Sequence, residues 1–420
     1  MIDRSSVEAA IVEAHRRDWA LVVAATVRVA RDLDLAEECV QEAYAAALQS
    51  WTRDGVPINP AAWLTTAAKR RAVDAIRRDQ TFRSKLPLLI QPEEIVEDTM
   101  AEHPPGDDRE GVLPDERLRL IFLCCHPALA RDGQVALTLR LVCGLSTPDI
   151  ARAFLVSEAT MAARITRAKR KIAGSRIPYG LPRKADLHGR LQGVLGVIYL
   201  LFSAGYAAPS GPVLVQAELI QRSLDLARLL RGLMPEQPEV DGLLALLLVH
   251  DARRATRVSP DGQLLLLEQQ DRSQWDRAAL AEAHELIMAA LAGGAHGRYV
   301  LQAAIASVYA EAPSYEETDW PEVLALYDRL IEIWPSPVVA LNRAVPLSRV
   351  AGPAAALEVI EGLETAGQLS RYQYLPAVKA DLLRRMGRAS DAATAYRSAL
   401  ELTDNQSERD FLTTRLTSLL

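Results

Sequence analysis

Apolar residues in this chain recur at three- and four-residue intervals over most of its length, and that spacing commits it to helices. The pattern runs from about Val7 to Arg83, with one strong breaker at Asp54 to Pro60, and resumes from Leu118 to Ile172. After the punctuation IPYGLP (Ile177 to Pro182) it continues through a long leucine-rich region. Pro87 to Pro114 is rich in Pro, Glu and Asp, has little periodic apolar content, and reads as an extended linker. Composition agrees with the spacing. Of 420 residues, 49% are hydrophobic but only 5% aromatic, and the excess is Ala and Leu, the best helix formers. The expected fold class is all-α, in several domains, instead of one large β-rich enzyme fold.

The formal net charge of -6 would, as an average, argue against a nucleic-acid ligand. Local counts reverse that inference. Residues 1–185 carry 27 basic and 25 acidic side chains, and the remainder 21 and 29. Lys69 to Lys85 has seven basic residues against two acidic ones, and Arg164 to Lys184 has eight and none. Gln91 to Glu116 has ten acidic residues against Arg109 alone. Two cationic patches therefore flank an anionic linker.

The sharpest local signal is GLSTPDIARAFLVSEATMAARITRAKRKI, Gly144 to Ile172. Ser146 can cap a first helix with Pro148 and Asp149 in its first turn, and Ser157 can cap a second. Met161, Ile165, Ala168 and Ile172 then form a buried stripe, beside a polar one of Thr160, Arg164, Arg167 and Lys171. A short helix, a tight turn and a second helix with a cationic exposed face suit a recognition helix in the major groove. The competing reading is a solvated basic helix. Ser157, Glu158, Thr160, Met161, Arg164, Arg167, Lys169, Arg170 and Lys171 are the DNA-contact candidates here.

The other cationic patch lies in PAAWLTTAAKRRAVDAIRRDQTFRSK, from Pro60. Trp63, Leu64, Ala68, Val73 and Ile76 can face inward, leaving Lys69, Arg70, Arg71, Asp74, Arg77 and Arg78 as candidates for a second DNA contact. Internal ion pairs through Asp74 would give a merely neutralised helix. Upstream, in DLDLAEECVQEAYAAAL, Asp34, Glu37, Glu38, Gln41 and Glu42 stand opposite Leu35, Val40, Ala43 and Leu48.

In this order the motifs resemble the bacterial extracytoplasmic-function sigma factors. DLAEECVQEAY resembles the region 2 helix that docks on the clamp helices of RNA polymerase, and WLTTAAKRRAVDAIRR the helix at the minus-ten element. LSTPDIARAFLVSEATMAARITRAKRKI resembles the region 4 helix-turn-helix for the minus-thirty-five element. The resemblance implies that Asp34, Glu37, Glu38, Gln41 and Glu42 contact polymerase and that the loop Thr52 to Asn59 accepts a flipped minus-ten base. It also implies that the acidic linker mimics nucleic acid in a channel; alternatively, that linker covers the cationic patches before polymerase binds. Two departures stand out: Arg70 replaces the usual Asn, and Cys39 an acidic residue. FLCCHPAL, IPYGLP, DARR, QDRSQWD and TDWPEVLALYDRL resemble the subgroup with a large C-terminal tetratricopeptide-type extension.

That extension has a repeat of its own. Gly352 and Gly387 are 35 residues apart, and Tyr327 and Tyr396 are 69 apart, close to twice a tetratricopeptide period. An ordinary bundle with chance spacing is the alternative. Asp251, Arg253, Arg254, Asp271, Arg272 and Trp275 form an ionic cluster, read either as a structural network or as a regulatory contact. Cys124, Cys125, His126 and Cys143 contain metal-ligand types, but adjacent cysteines in an apolar helix fit packing better, and no metal or other cofactor is expected. No phosphate loop, catalytic triad or HExxH motif is evident, so catalysis is not expected. Four cysteines, the charged N-terminus and the glycine-interrupted apolar stretch Leu191 to Gly211 suggest a cytoplasmic protein without a membrane span.

The expected organisation is region 2 over 1–86, linker over 87–113, region 4 over 114–177, a helical domain over 186–300 and repeats over 301–420. Core RNA polymerase and promoter DNA are the expected partners, with a peptide or protein on the repeat surface. The rival function is an interaction adaptor whose helix-turn-helix is only a DNA tether.

Overall fold

The short-range apolar spacing becomes eighteen α-helices among the described residues, with one pair of two-residue strands. A computed structural model describes residues 4–85, 116–206, 210–211 and 216–419, except 155, 176, 178, 184, 236, 260–262, 295–296 and 368. The acidic linker therefore lies outside the described residues, apart from Glu116. The chain divides into two compact units, with the boundary near residue 197, inside a helix.

In the first unit, α1 (Arg4–Ala30), α2 (Leu33–Asp54) and α3 (Pro60–Lys85) pack on one another. Asp32 starts α2 by accepting a hydrogen bond from the Leu35 N–H at 2.8 Å. Gly55, at φ 93°, ends the helix with its N–H on the Trp51 carbonyl. Asn59 then opens α3 by accepting from the Ala62 N–H at 3.0 Å. Trp51 is buried and meets Trp63 edge-on at 5.7 Å, so an aromatic pair joins the two sides of the breaker. Next come α4 (Glu116–Cys124), α5 (Arg131–Leu137) with a π-helical turn at Thr138–Val142, α6 (Thr147–Ala153) and α7 (Glu158–Gly174). Gly144, at φ 72°, ends the π turn where a Cβ would meet the His15 and Trp19 rings of α1 at 2.9–3.0 Å. Only glycine serves both needs.

The apolar helix α8 (Leu187–Tyr206) is long enough to cross a membrane by length and composition alone, and 44% of its apolar window is buried in the protein. Its Arg190 donates to the Phe122 carbonyl at 2.7 Å.

The second unit continues through α9 (Ala217–Leu233), α10 (Pro238–Ala252), α11 (Arg277–Ala292) and α12 (Arg298–Glu311). Helix α10 buries Val240 and the run Leu243 to Val249, as a helix apolar all round must. Gly242 permits this, because a Cβ there would lie 2.5 Å from the Val300 nitrogen on α12. Three helix hairpins follow: α13 (Trp320–Ile333) with α14 (Pro337–Val350), α15 (Pro353–Ala366) with α16 (Tyr374–Arg385), and α17 (Ala389–Glu401) with α18 (Gln406–Thr417). Gly352 and Gly387 both have positive φ and each stands between two hairpins, which accounts for their 35-residue separation. Their shared core contains Leu341, Ala356, Ile360, Leu375, Leu383, Ala392, Tyr396 and Leu412. Stacking of hairpins that bury apolar faces on their neighbours is the physics of a helical repeat array.

Candidate nucleic-acid and polymerase interface

Helices α6 and α7 form the two-helix element predicted by the caps. Ser146 accepts from the Asp149 N–H at 3.2 Å, and Ser157 accepts from the Thr160 N–H at 3.2 Å. Met161, Ile165, Ala168 and Ile172 are all buried, so the stripe of α7 is its packing face. Glu158, Thr160, Arg167, Arg170 and Lys171 are exposed, and Arg164 is half-buried, 3.6 Å from Asp132. These cations leave α7 with an exposed basic surface, the kind of helix surface a major groove can receive.

Two residues expected at DNA are placed elsewhere. Met161 is 1% exposed, because it belongs to the four-residue apolar stripe and leaves no surface for a base. Lys169 is half-buried and turned onto α2. Its ammonium lies 2.6 Å from Asp34 and 2.8 Å from Glu37, both on α2. Burial alone would lower its pKa, but the hydrogen bonds it donates to these two carboxylates overcome that and hold it above the ordinary lysine value.

Glu37 is the centre of this cluster. It is 6% exposed and pairs with Arg140, on the π turn, as well as with Lys169. Gln41 donates to the Glu37 oxygen that faces Arg140, at 3.3 Å. The surface expected to meet polymerase is thus split: Glu38, Gln41 and Glu42 are exposed, Asp34 is exposed but ion-paired, and Glu37 is covered. Arg140 escaped the sequence reading because it stands in an apolar run, ALTLRLV, with nothing local to mark a partner a hundred residues away. Further bonds bring the same segments together. Arg28 pairs with Glu116 at 3.1 Å, and the Tyr179 hydroxyl donates to the carbonyls of Ala24 and Glu116.

On α3, Arg70, Asp74, Arg77 and Arg78 are exposed, while Lys69 and Arg71 are half-buried, Arg71 pairing with Glu42 at 2.9 Å. Buried Leu64, Ala68 and Ala72 set its inner face. Beside it runs an open groove of about 710 Å³ lined by Ser50, Trp63, Thr66, Arg70, Arg71 and Asp74. Ile58, in the preceding loop, is fully exposed.

Residues 11–82 match sigma-70 region 2, and residues 119–172 match sigma-70 region 4. Residues 190–291 match a family of unknown function, DUF6596. The chain is an extracytoplasmic-function-type member of the sigma-70 family. An uncharacterized protein of Rhizobium meliloti (strain 1021), R00370, is 42% identical over the whole of this chain and 97% of its own length. The crystal structure of yeast Tom70 is similar at a TM-score of 0.37 and 11% identity, covering 99% of this chain and 85% of that one, a likeness too slight to build on.

In sigma-70 terms, α3 belongs to region 2, α7 to region 4, and the Glu37 cluster joins the two regions. The remaining candidate groups have structural surroundings. Arg253 and Arg272 lie over the Trp275 ring at 5.8 and 4.7 Å, and Trp275 donates to Thr256 at 2.9 Å. Arg272 also donates to the carbonyls of Tyr309 and Ala312, Asp251 pairs with Arg254, and Asp271 caps a short turn. Trp275 thus gathers Arg253, Arg272 and Thr256, and of these it is Arg272 that ties this segment to the end of α12. Cys124 and Cys125 are buried, and burial pushes the Cys125 thiol up to about 11, leaving a neutral thiol against Thr138. Among the described residues no group of three His, Cys, Asp or Glu side chains could hold a metal.

Proposed function

We propose that this chain is a promoter-specific transcription initiation factor that works in the cytoplasm with core RNA polymerase and catalyses nothing itself. The observation that carries the reading is the capped α6–α7 element with its exposed cations, in one chain with the basic α3 and the acidic α2. Region 2, over 1–86, would engage polymerase through α2 and the minus-ten element through Arg70, Arg77 and Arg78. Trp63, in the groove beside α3, offers an aromatic face for an unpaired base. Region 4, over 114–177, would read the minus-thirty-five element through Thr160, Arg164, Arg167, Arg170 and Lys171. The extension, over 186–300 and 301–420, would regulate this activity.

The Glu37 cluster adds a condition. The two promoter elements lie about 25 base pairs apart, on the order of 85 Å of duplex at 3.4 Å per base pair. Helix α7 spans only about 25 Å at 1.5 Å per residue and is ion-paired to region 2. This form cannot bridge a promoter, and it hides Glu37 from polymerase. A buried ion pair fixes register while contributing little net stability, so polymerase can displace it at modest cost. We therefore read the free chain as closed and the polymerase-bound chain as open.

Run-off transcription with purified core polymerase tests the function, using the whole chain and its Arg164→Ala, Arg167→Ala double variant. The expected result is a promoter-dependent transcript from the first and little from the second. No transcript from the whole chain at any promoter in a random-sequence library rules the reading out.

A further inference from the structure

Beside the repeat array lies a half-open cavity of about 420 Å³, within the range of roughly 300–1,000 Å³ usual for small-molecule sites. It lies along the inner helices. Helix α14 contributes Val345 and Arg349, α16 contributes Tyr374, Ala377, Val378 and Asp381, and α18 contributes Glu408, Phe411, Leu412 and Arg415. Those α16 and α18 positions recur at three- and four-residue steps, so each helix turns one face inward. Leu264, Leu266 and Leu267 line it from a separate segment of the chain. That segment is tied down at Leu265, whose N–H donates to the Arg257 carbonyl at 2.8 Å. A cavity of this volume has room for a small molecule.

Charge selects the ligand class. Three carboxylates line the cavity and each is engaged: Glu268 with Arg415 at 4.0 Å, Asp381 with Arg384 at 2.6 Å, and Glu408 with the Tyr374 hydroxyl at 2.5 Å. Two guanidinium groups, those of Arg349 and Arg385, have no carboxylate within 4.0 Å among the described residues. Arg385 rests on Ser348 at 2.8 Å, and Arg349 lies over the Tyr315 ring at 5.0 Å. Their side chains grow from the last turns of α14 and α16, and Arg385 bonds the residue next to Arg349. The rest of the lining is leucine, valine, alanine and aromatic rings, with two neutral polar residues, Gln373 and Thr403. A site with an apolar body and two uncompensated guanidinium groups at one end matches a molecule with an apolar body and one planar anionic head.

We infer that this cavity binds a small amphipathic carboxylate, its head on Arg349 and Arg385 and its apolar body between Leu264, Leu266, Val378 and Phe411. The binding stands independently of the initiation role and is read without transcription.

Isothermal titration of the full-length chain uses decanoate and 4-phenylbutyrate as probes, with decan-1-ol, 4-phenylbutan-1-ol and decyl sulfate for comparison. The expected result is saturable one-to-one binding of at least one carboxylate, about tenfold or more tighter than its alcohol. Arg349→Gln, at an exposed position, should weaken it by a similar factor, and Ala377→Trp, which fills the cavity, should abolish it. Circular dichroism melts establish that both variants are folded; if Ala377→Trp is not, Val345→Phe replaces it. Absence of saturable binding by both carboxylates overturns the assignment. So does equal binding of the alcohols, tighter binding of decyl sulfate, or binding unchanged in a folded cavity-filling variant.

Discussion

Helices α3 and α7 carry similar cationic sequences and use them differently. Helix α3 leaves Arg70, Arg77 and Arg78 in solvent, while α7 leaves Arg167, Arg170 and Lys171 outside but turns Lys169 onto two acids of α2. The difference arises from register. Lys169 follows Ala168 of the packing stripe and is carried to the edge of the buried face, where its long stem reaches Glu37. A count of charge along the sequence scores all these residues as DNA contacts. The structure separates those that remain exposed from one that holds region 4 against α2.

The largest effect should come from breaking the buried side of that contrast. Glu37→Ala leaves Arg140 and Lys169 short of a carboxylate in a site only 6% exposed at Glu37, and should destabilise the first unit by about 3 kcal/mol in chemical denaturation. An unchanged midpoint would mean that the cluster is not formed in solution. Arg164→Ala with Arg167→Ala should cost about 2 kcal/mol or more in binding to minus-thirty-five duplex and leave the melting temperature almost unchanged. Equal losses in both measurements would assign these residues to packing. On α3, Arg77→Ala with Arg78→Ala should shift stability by no more than about 0.5 kcal/mol. The same change should lower the salt dependence of DNA binding by about one phosphate contact per residue. Glu42→Ala, which removes an exposed partner of Arg71, should cost less than about 1 kcal/mol.

The pH dependence sharpens the same comparison. Because the Lys169 pKa is raised in the folded chain, its contribution is fully present below the ordinary value of 10.5 and is lost as pH rises past the elevated one. Titration of this lysine therefore leaves the contact unchanged from pH 6 to 9. In the second unit, His250 is pushed down to about 3, first by burial and then by Arg253 and Arg257. The unfolded chain takes up that proton near 6.5, so stability should fall as pH drops from 6.5 toward 3, and His250→Gln should flatten that slope in a thermal-melt series.

Much of this was legible in the sequence because it is local. The Ser146 and Ser157 caps, the Met161–Ile172 stripe and the break before Pro60 depend on neighbours within a turn or two. The 35-residue glycine spacing is equally readable, since each inter-hairpin turn needs a positive φ. The Lys169–Glu37 pair joins residues 132 positions apart, and Arg140 stands in an apolar run, so nothing in either neighbourhood announces the contact. The cavity under Leu264 to Leu267 is hidden for the same reason: a run of leucines reads as helix, and only the fold lays it over the repeat array.

The central claim is our proposal that this sigma factor binds polymerase through a surface that its own region 4 covers in part, at Glu37 and Asp34. A fluorescence-anisotropy titration of the labelled chain with purified core polymerase, comparing the native sequence with Lys169→Glu, addresses it directly. Glutamate at 169 repels Asp34 and Glu37 and opens the closed form while leaving the α2 surface intact. Both chains should bind saturably, and the variant more tightly, because affinity no longer carries the penalty of a sparsely populated open state. Equal or weaker binding by the variant would contradict the closed form, and absence of binding by either chain would contradict the sigma-factor role itself.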